Sequence, residues 1–236
     1  MGSSEYLAMG AIVVRRVNLP HVMQMFDEAR AERRKPDGAK FKKFSKSNSK
    51  DNFVLTQALG SKPVKVAVIG FHKPSLENTY VRQNHGNEYN YLFKFLIERI
   101  SWIVRDADSA GGDHSTDIIL SRQEMYSFDE LRGYTEKLKR GRGRFNTRTN
   151  WENIGNIDQT PHQNETEMHL ADLVASSFHL AIEPKDHGMT DERFFMNLSK
   201  RIYRGREGKP HGLKLWPNEA IEPAKSAGRL LFLDRL

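Results

Sequence analysis

Apolar residues recur at helical spacing through residues 165–182, ETEMHLADLVASSFHLAI, where Leu170, Leu173, Val174, Phe178 and Ala181 leave only a narrow polar line of His169, Asp172, Ser176 and His179. A helix with so little polar surface is one that packs mostly inside a protein. Glu165 or Thr166 is placed to cap it, and Pro184 stops it. Strand patterns fall at 6–14 (YLAMGAIVV), 64–69 (VKVAVI), 118–120 and 154–157; the first reads as a strand buried on both faces. Helices are expected at 19–34, 51–59, 88–104, 128–139 and 190–201, the last capped by Thr190 or Asp191. The stripe of the 88–104 helix is Tyr91, Leu92, Phe95, Leu96, Ile100 and Ile103. An irregular tail is expected from about residue 203, closing on a short helix. Strands interleaved with helices argue a single α/β domain over residues 1–236, and no internal repeat is present.

At 236 residues the chain is long enough to bury a sizeable core. Lys and Arg number 37 against 30 Asp and Glu, and the net charge of +7 favours polyanionic partners. The excess is clustered. Residues 30–50 hold nine Lys or Arg against Glu32 and Asp37, with Phe41 and Phe44 set beside Lys42 and Lys43; cations interleaved with rings suit single-stranded nucleic acid, and equally a solvated loop docked by its two Phe. Residues 137–148, KLKRGRGRFNTR, form the densest basic segment, with Lys139, Arg140, Arg142 and Arg144 placed to contact phosphates. With no cysteine there is no disulfide, thiol nucleophile or thiolate metal site. No apolar run approaches the roughly 20 residues that span a bilayer, and no leader pattern opens the chain, so a cytoplasmic protein without a membrane partner is expected.

No glycine-rich phosphate loop follows a strand, and neither a Gly-x-Ser-x-Gly elbow nor a His-Glu-x-x-His pair is present. What remains is carboxylates at strand ends and on the apolar helix. An Asp such as Asp172 inside that helix needs a cation, a metal or several donors unless it lies on a wet face. Clustered carboxylates hold Mg²⁺ or Mn²⁺ and support in-line attack on a phosphodiester. Glu98 can face such a site or pair with an arginine, and His169 can share a metal with Asp172 or be an ordinary surface group.

LADLVASSFHLAIEP, preceded by NIDQTPHQNETEMH and followed by DERFFMNL, resembles the closing part of the family known as domain of unknown function 3800, whose members show a Leu-Ala-Asp helix there. YLAMGAIVVR is similar to that family's second strand, FKKFSK to its Lys-rich segment, YNYLFKFLIERI to its central helix and DIILSRQEM to its later strand. The resemblance implies a ribonuclease H-like fold, a mixed sheet flanked by helices, and a carboxylate metal site. Asp172 matches the family's aspartate on the closing helix. The later strand has Ser121 where the family has an acidic residue, leaving Glu124 nearby or Asp117 at its start as the second carboxylate. The opening Asp-Glu-Ser strand of the family has no counterpart before Tyr6, so either that strand is missing from the sequence or the chemistry has been lost. The function expected is a divalent-metal-dependent nuclease-like protein. The alternative is a non-catalytic nucleic-acid-binding or protein-interaction module on the same scaffold. A third possibility, an enzyme for a small phosphorylated substrate, requires a deep pocket.

Overall fold

The computed structural model describes residues 4–36, 49–83, 86–107, 113–142, 145–161, 167–185 and 188–236. Lys42, Lys43, Arg144, Glu165 and Thr166 lie outside the described residues. The first apolar run forms β1 (Tyr6–Val14), and the helix after it divides into α1 (Leu19–Met23) and α2 (Met25–Glu32). There follow α3 (Ser49–Ser61), β2 (Val64–His72), the single turn α4 (Tyr80–Gln83), α5 (Asn87–Arg105), β3 (Thr116–Ser121), α6 (Phe128–Arg140) and β4 (Ile154–Thr160). The chain closes with α7 (Met168–Ile182), α8 (Arg193–Asn197), β5 (Leu213–Trp216) and α9 (Ile221–Ser226). The protein is mixed α/β.

Two small sheets form. In one, β1 is antiparallel to β2 and β2 is parallel to β5; in the other, β3 is parallel to β4. Alternation along β1 and β2 sends Ala8, Ile12, Val14, Val64, Val66 and Val68 to one face, against α2, α3, α7 and α8. Leu7, Met9, Ala11, Val13, Ala67, Ile69 and Phe71 go to the other, against α5 and the second sheet. Two cores therefore lie on opposite faces of β1–β2–β5.

Four details depart from the sequence expectation. β1 is not a central strand: it sits at the sheet edge, and only Tyr6 of its residues is fully buried. Its apolar faces are covered by helices, while among the described residues no strand pairs with its outer side. The tail is not irregular, since Leu-Lys-Leu-Trp forms β5 beside Val68 to Phe71; its alternation is strand-like but only four residues long. Near residue 190, α8 starts only at Arg193, and neither Thr190 nor Asp191 caps it. The polar line of α7 is neither wet nor buried: His169, Asp172, Ser176 and His179 are all half-buried.

α7 sits on β1 at Gly10, where its backbone at Ala175 approaches closely, and its C-terminal end clasps the start of the strand. The Glu183 carboxylate accepts from the backbone N–H of Glu5 (2.9 Å) and of Tyr6 (2.8 Å). Ser4 Oγ lies 2.8 Å from Glu183 Oε2 and 3.2 Å from His179 Nε2. Serine and carboxylate meet the same ring nitrogen here. Among the described residues no acid meets the opposite nitrogen to orient the imidazole, so the trio is a clasp and not a nucleophile relay.

Asp191, used as an ion-pair hub rather than a cap, receives Arg193 (2.9 Å) and Lys185 (3.1 Å). The Arg193 hydrogen bonds outweigh the cost of burial and hold its carboxyl near 2, below the ordinary 3.8. A depressed carboxylate contributes stability that is complete above about pH 4 and is lost as pH falls through about 2. With Arg193 largely exposed, that contribution is about 1–2 kcal/mol. Asp191→Asn is expected to be less stable than the native chain at pH 6 and to converge with it near pH 2 in urea titrations. A constant gap across that range would show that the ion pairs are not its source.

Candidate nucleic acid interface

Helix α5 has two working sides. Leu92, Phe93, Leu96, Ile97, Ile100 and Ile103 are buried in the core, whereas Tyr91, Lys94, Phe95, Glu98, Arg99 and Trp102 recur at three- and four-residue steps along the flank. Tyr91 and Phe95 belong by sequence to the apolar stripe, yet both are half-buried at its margin. β5 lies against this flank because its alternation points Leu215 into the first core and turns Lys214 and Trp216 toward α5. Trp216 stands 6.2 Å from both Tyr91 and Phe95, near-parallel to Tyr91 at 29°. Lys214 Nζ sits 4.8 Å from the Phe95 ring centre, Lys94 Nζ 5.7 Å from Tyr91, and the Arg99 guanidinium 5.3 Å from Trp102. Cations set over ring faces are cation–π geometry, and here they alternate along a surface.

The same flank extends into the basic segment. α6 is well delimited: Ser127 Oγ accepts from Glu130 N–H, acids fill the first turn, Lys137, Lys139 and Arg140 the last, and Gly141 ends it at a φ of 62°. Lys139 and Arg140 are exposed, as is Arg142 beyond them. Tyr134 of α6 lies 6.5 Å from Tyr91 and 5.7 Å from Phe145, while Lys137 and Lys139 sit over Phe145 (5.7 Å) and Trp151 (5.8 Å). The return of this segment is fastened to α5. Glu98 accepts from Thr147 Oγ1 and from Arg148 N–H, both at 3.0 Å, and Trp102 Nε1–H donates to Arg148 O at 2.9 Å.

Electrostatically the flank is short of negative charge. Glu98 and Arg99 are 6% and 7% exposed, with Arg99 Nη1 3.7 Å from Glu98 and donating to Phe95 O. Arg99 Nε is buried with no hydrogen-bond partner among the described residues. Burial pulls the Arg99 guanidinium down to about 10, only partly offset by Glu98. Lys94 is also lowered by burial, and Lys214 by burial and then by the neighbouring Arg99. All these cations remain charged at neutral pH, and an anion would relieve the cost of holding them together.

The carboxylates named from the sequence each have surroundings of their own. Asp172 is half-buried on α7 and accepts from Ser176 Oγ at 3.2 Å. Asp117, at the start of β3, accepts from Asn156 N–H (3.0 Å) and Arg16 (3.3 Å). Glu124 is exposed in the turn that follows the strand's other end. Among the described residues, no three carboxylate or imidazole groups come together as a metal site. The residues that sequence reading passed over are Lys94, Lys214 and the ring set Tyr91, Phe95 and Trp216; the one signal for them was a lysine within each apolar run, LFKFL and LKLW. Comparison with protein-family models, with curated proteins and with solved structures finds no match. A cavity beside Tyr89, Leu120, Tyr126 and Leu131 holds about 10 Å³, room for about one water, which gives a small phosphorylated substrate no enclosed site there. No helix among the described residues is long and apolar enough to cross a membrane.

Proposed function

We propose that the α5–β5 flank, with the basic end of α6, binds single-stranded nucleic acid. The observation that carries this reading is the alternation of Lys94, Arg99 and Lys214 with the half-exposed rings Tyr91, Phe95, Trp102 and Trp216, with an unpartnered buried Arg99 Nε among them. Phosphates take the cations and unstacked bases take the rings, whereas a duplex keeps its base faces occupied. Lys137, Lys139, Arg140 and Arg142 extend the positive path, in keeping with the chain's net charge of +7. A ribonuclease H-like scaffold of the domain of unknown function 3800 kind is part of this proposal, supported by the mixed sheet and its flanking helices. Metal-dependent cleavage would need Mg²⁺ or Mn²⁺ held by Asp172 together with Glu124 or Asp117. Asp172 is engaged by Ser176 of its own helix and Asp117 by Asn156 N–H and Arg16, which favours binding over cleavage.

Titration of a labelled oligothymidylate at several salt concentrations tests this. Lys94→Ala/Lys214→Ala is expected to weaken binding about tenfold near 0.1 M salt and to reduce the log–log salt slope by about 1.4, two phosphate contacts at about 0.7 each. An unchanged affinity and slope would place the nucleic acid elsewhere or nowhere. Incubation with Mn²⁺, for the native chain and Asp172→Ala, separates the readings: metal-dependent cleavage lost in the variant would establish the nuclease instead.

A further inference from the structure

The cations of the α5 flank gather at one ring. Lys214 Nζ, from β5, lies 4.8 Å from the centre of Phe95 and Lys94 Nζ 5.9 Å from it, while Arg99 Nη1 donates to the Phe95 carbonyl at 2.8 Å. A fourth cation arrives on the chain returning from α6. The backbone N–H of Arg148 is held by Glu98 at 3.0 Å, and the residue is exposed. Three separate stretches, α5, β5 and residues 147–148, therefore bring Lys94, Arg99, Arg148 and Lys214 to the same part of the helix.

Glu98 is the one carboxylate that meets this group among the described residues, and it is already engaged. Its Oε1 accepts from Thr147 Oγ1 and Arg148 N–H, and its Oε2 lies 3.7 Å from Arg99. Among the described residues no carboxylate comes within ion-pair distance of Lys94, Lys214 or the Arg148 side chain, and Arg99 Nε has no hydrogen-bond partner. Elsewhere the protein meets its sunken cations with acids: Lys62 with Glu28 at 2.6 Å, Arg33 with Asp51 at 2.7 Å and Lys185 with Asp191 at 3.1 Å. The field at Lys214 reports the difference, since burial first and the charge of Arg99 next pull its ammonium down, with Arg148 adding to them against Glu98.

A surplus of gathered positive charge is offset best by one anion of high charge. An internal phosphodiester brings one negative charge. A phosphate monoester brings close to two at neutral pH, with three acceptor oxygens.

We propose that Lys94, Arg99, Arg148 and Lys214 form a seat for a phosphate monoester, the terminal phosphate of a single strand. This rests on the flank being the nucleic acid site and adds that the strand is held by an end. The exposed Arg148 guanidinium supplies a fork for two phosphate oxygens, the lysines are point charges, and Arg99, sunk below them, acts through its field. Phe95 also has Trp216 at 6.2 Å and Tyr91 at 6.4 Å, so the base next to a seated phosphate meets a ring. A 5′ and a 3′ end carry the same chemistry, and the test separates them.

Internally labelled oligothymidylates of one length, with a 5′-phosphate, a 3′-phosphate or hydroxyls at both ends, are titrated against the full chain at fixed salt. One phosphorylated oligomer is expected to bind about tenfold more tightly than the hydroxyl one, and the methyl ester of its terminal phosphate, with one charge fewer, to lose most of that gain. Lys214→Met and Arg148→Gln are each expected to cut the preference to about threefold or less. Lys214→Met keeps an apolar stem against Phe95 and Arg148→Gln alters an exposed residue, so both are expected to fold. Arg140→Gln/Arg142→Gln, on the basic end of α6, is expected to weaken every oligomer by a common factor and leave the preference intact. Equal, salt-sensitive affinity for phosphorylated and hydroxyl ends would overturn the seat and leave the flank as a binding surface. No salt-sensitive binding of any oligomer would overturn the flank and the seat together. A preference kept by the methyl ester, or surviving both Lys214→Met and Arg148→Gln, would also overturn the seat.

Discussion

Glu98→Ala is expected to destabilise the protein by about 3–4 kcal/mol, because it leaves Arg99 buried beside no carboxylate and releases the chain at residues 147–148 in one change. Glu98 and Arg99 are both more than nine-tenths buried, and the guanidinium is already held down near 10 with Glu98 present. Removing the Glu98 carboxylate takes away the charge that offsets this burial, so the cost is that of an uncompensated internal charge rather than of a surface ion pair. Glu98→Gln retains an acceptor for Thr147 Oγ1 and Arg148 N–H, and is expected to cost about half as much. Urea denaturation at neutral pH measures both. Adding Arg99→Met to Glu98→Ala is expected to recover part of the loss, since the orphaned charge leaves with it. If Glu98→Ala cost less than about 1 kcal/mol, the pair would be solvated in solution and the flank would not be the dry, positively charged surface proposed for nucleic acid.

Much of the architecture was legible in the sequence because its long elements carry strong periodic signals. The apolar stripe of α5 and the capped, charge-graded α6 emerge within a residue or two of their expected bounds. β5 was not legible: four alternating residues in a polar tail have no local signal that distinguishes them from a loop, and the pairing with β2 is made across well over a hundred residues of chain. β1 misled in another way. Apolar residues on both faces report two covering layers, but hydrogen bonding runs along the edge, which hydrophobicity does not encode. Position on a helix was readable for Asp172, yet its partner Ser176 turned out to be its own neighbour one turn on, a pairing available without any metal. The basic segment was found by its charge. Lys94 and Lys214 were not, because each is a single lysine within an apolar run and only the packing of β5 against α5 brings them to the same rings.

The seat of α7 on β1 rests on one missing side chain, and Gly10→Val is expected to cost about 3 kcal/mol. A Cβ at Gly10 would lie 2.8 Å from Ala175 N, 3.0 Å from Ala175 Cα and 3.0 Å from Val174 Cγ1. Two of those atoms are helix backbone, which cannot rotate away as a side-chain end can, so the helix as a whole must move outward. Gly10→Ala meets the same backbone with one atom and is expected to cost about 1–2 kcal/mol; valine adds two more carbons in the same gap. Denaturation midpoints give these costs, and a paired variant identifies the cause. Val174→Ala removes the side chain that comes within 3.0 Å of the new Cβ, so it should return little of the loss in the Gly10→Val background if the backbone contact dominates. Full recovery would locate the conflict in Val174 alone. A displaced α7 also draws Glu183 from the Tyr6 N–H, so Gly10→Val is expected to speed exchange of that amide as well, linking the strand's close approach at its middle to the clasp at its start.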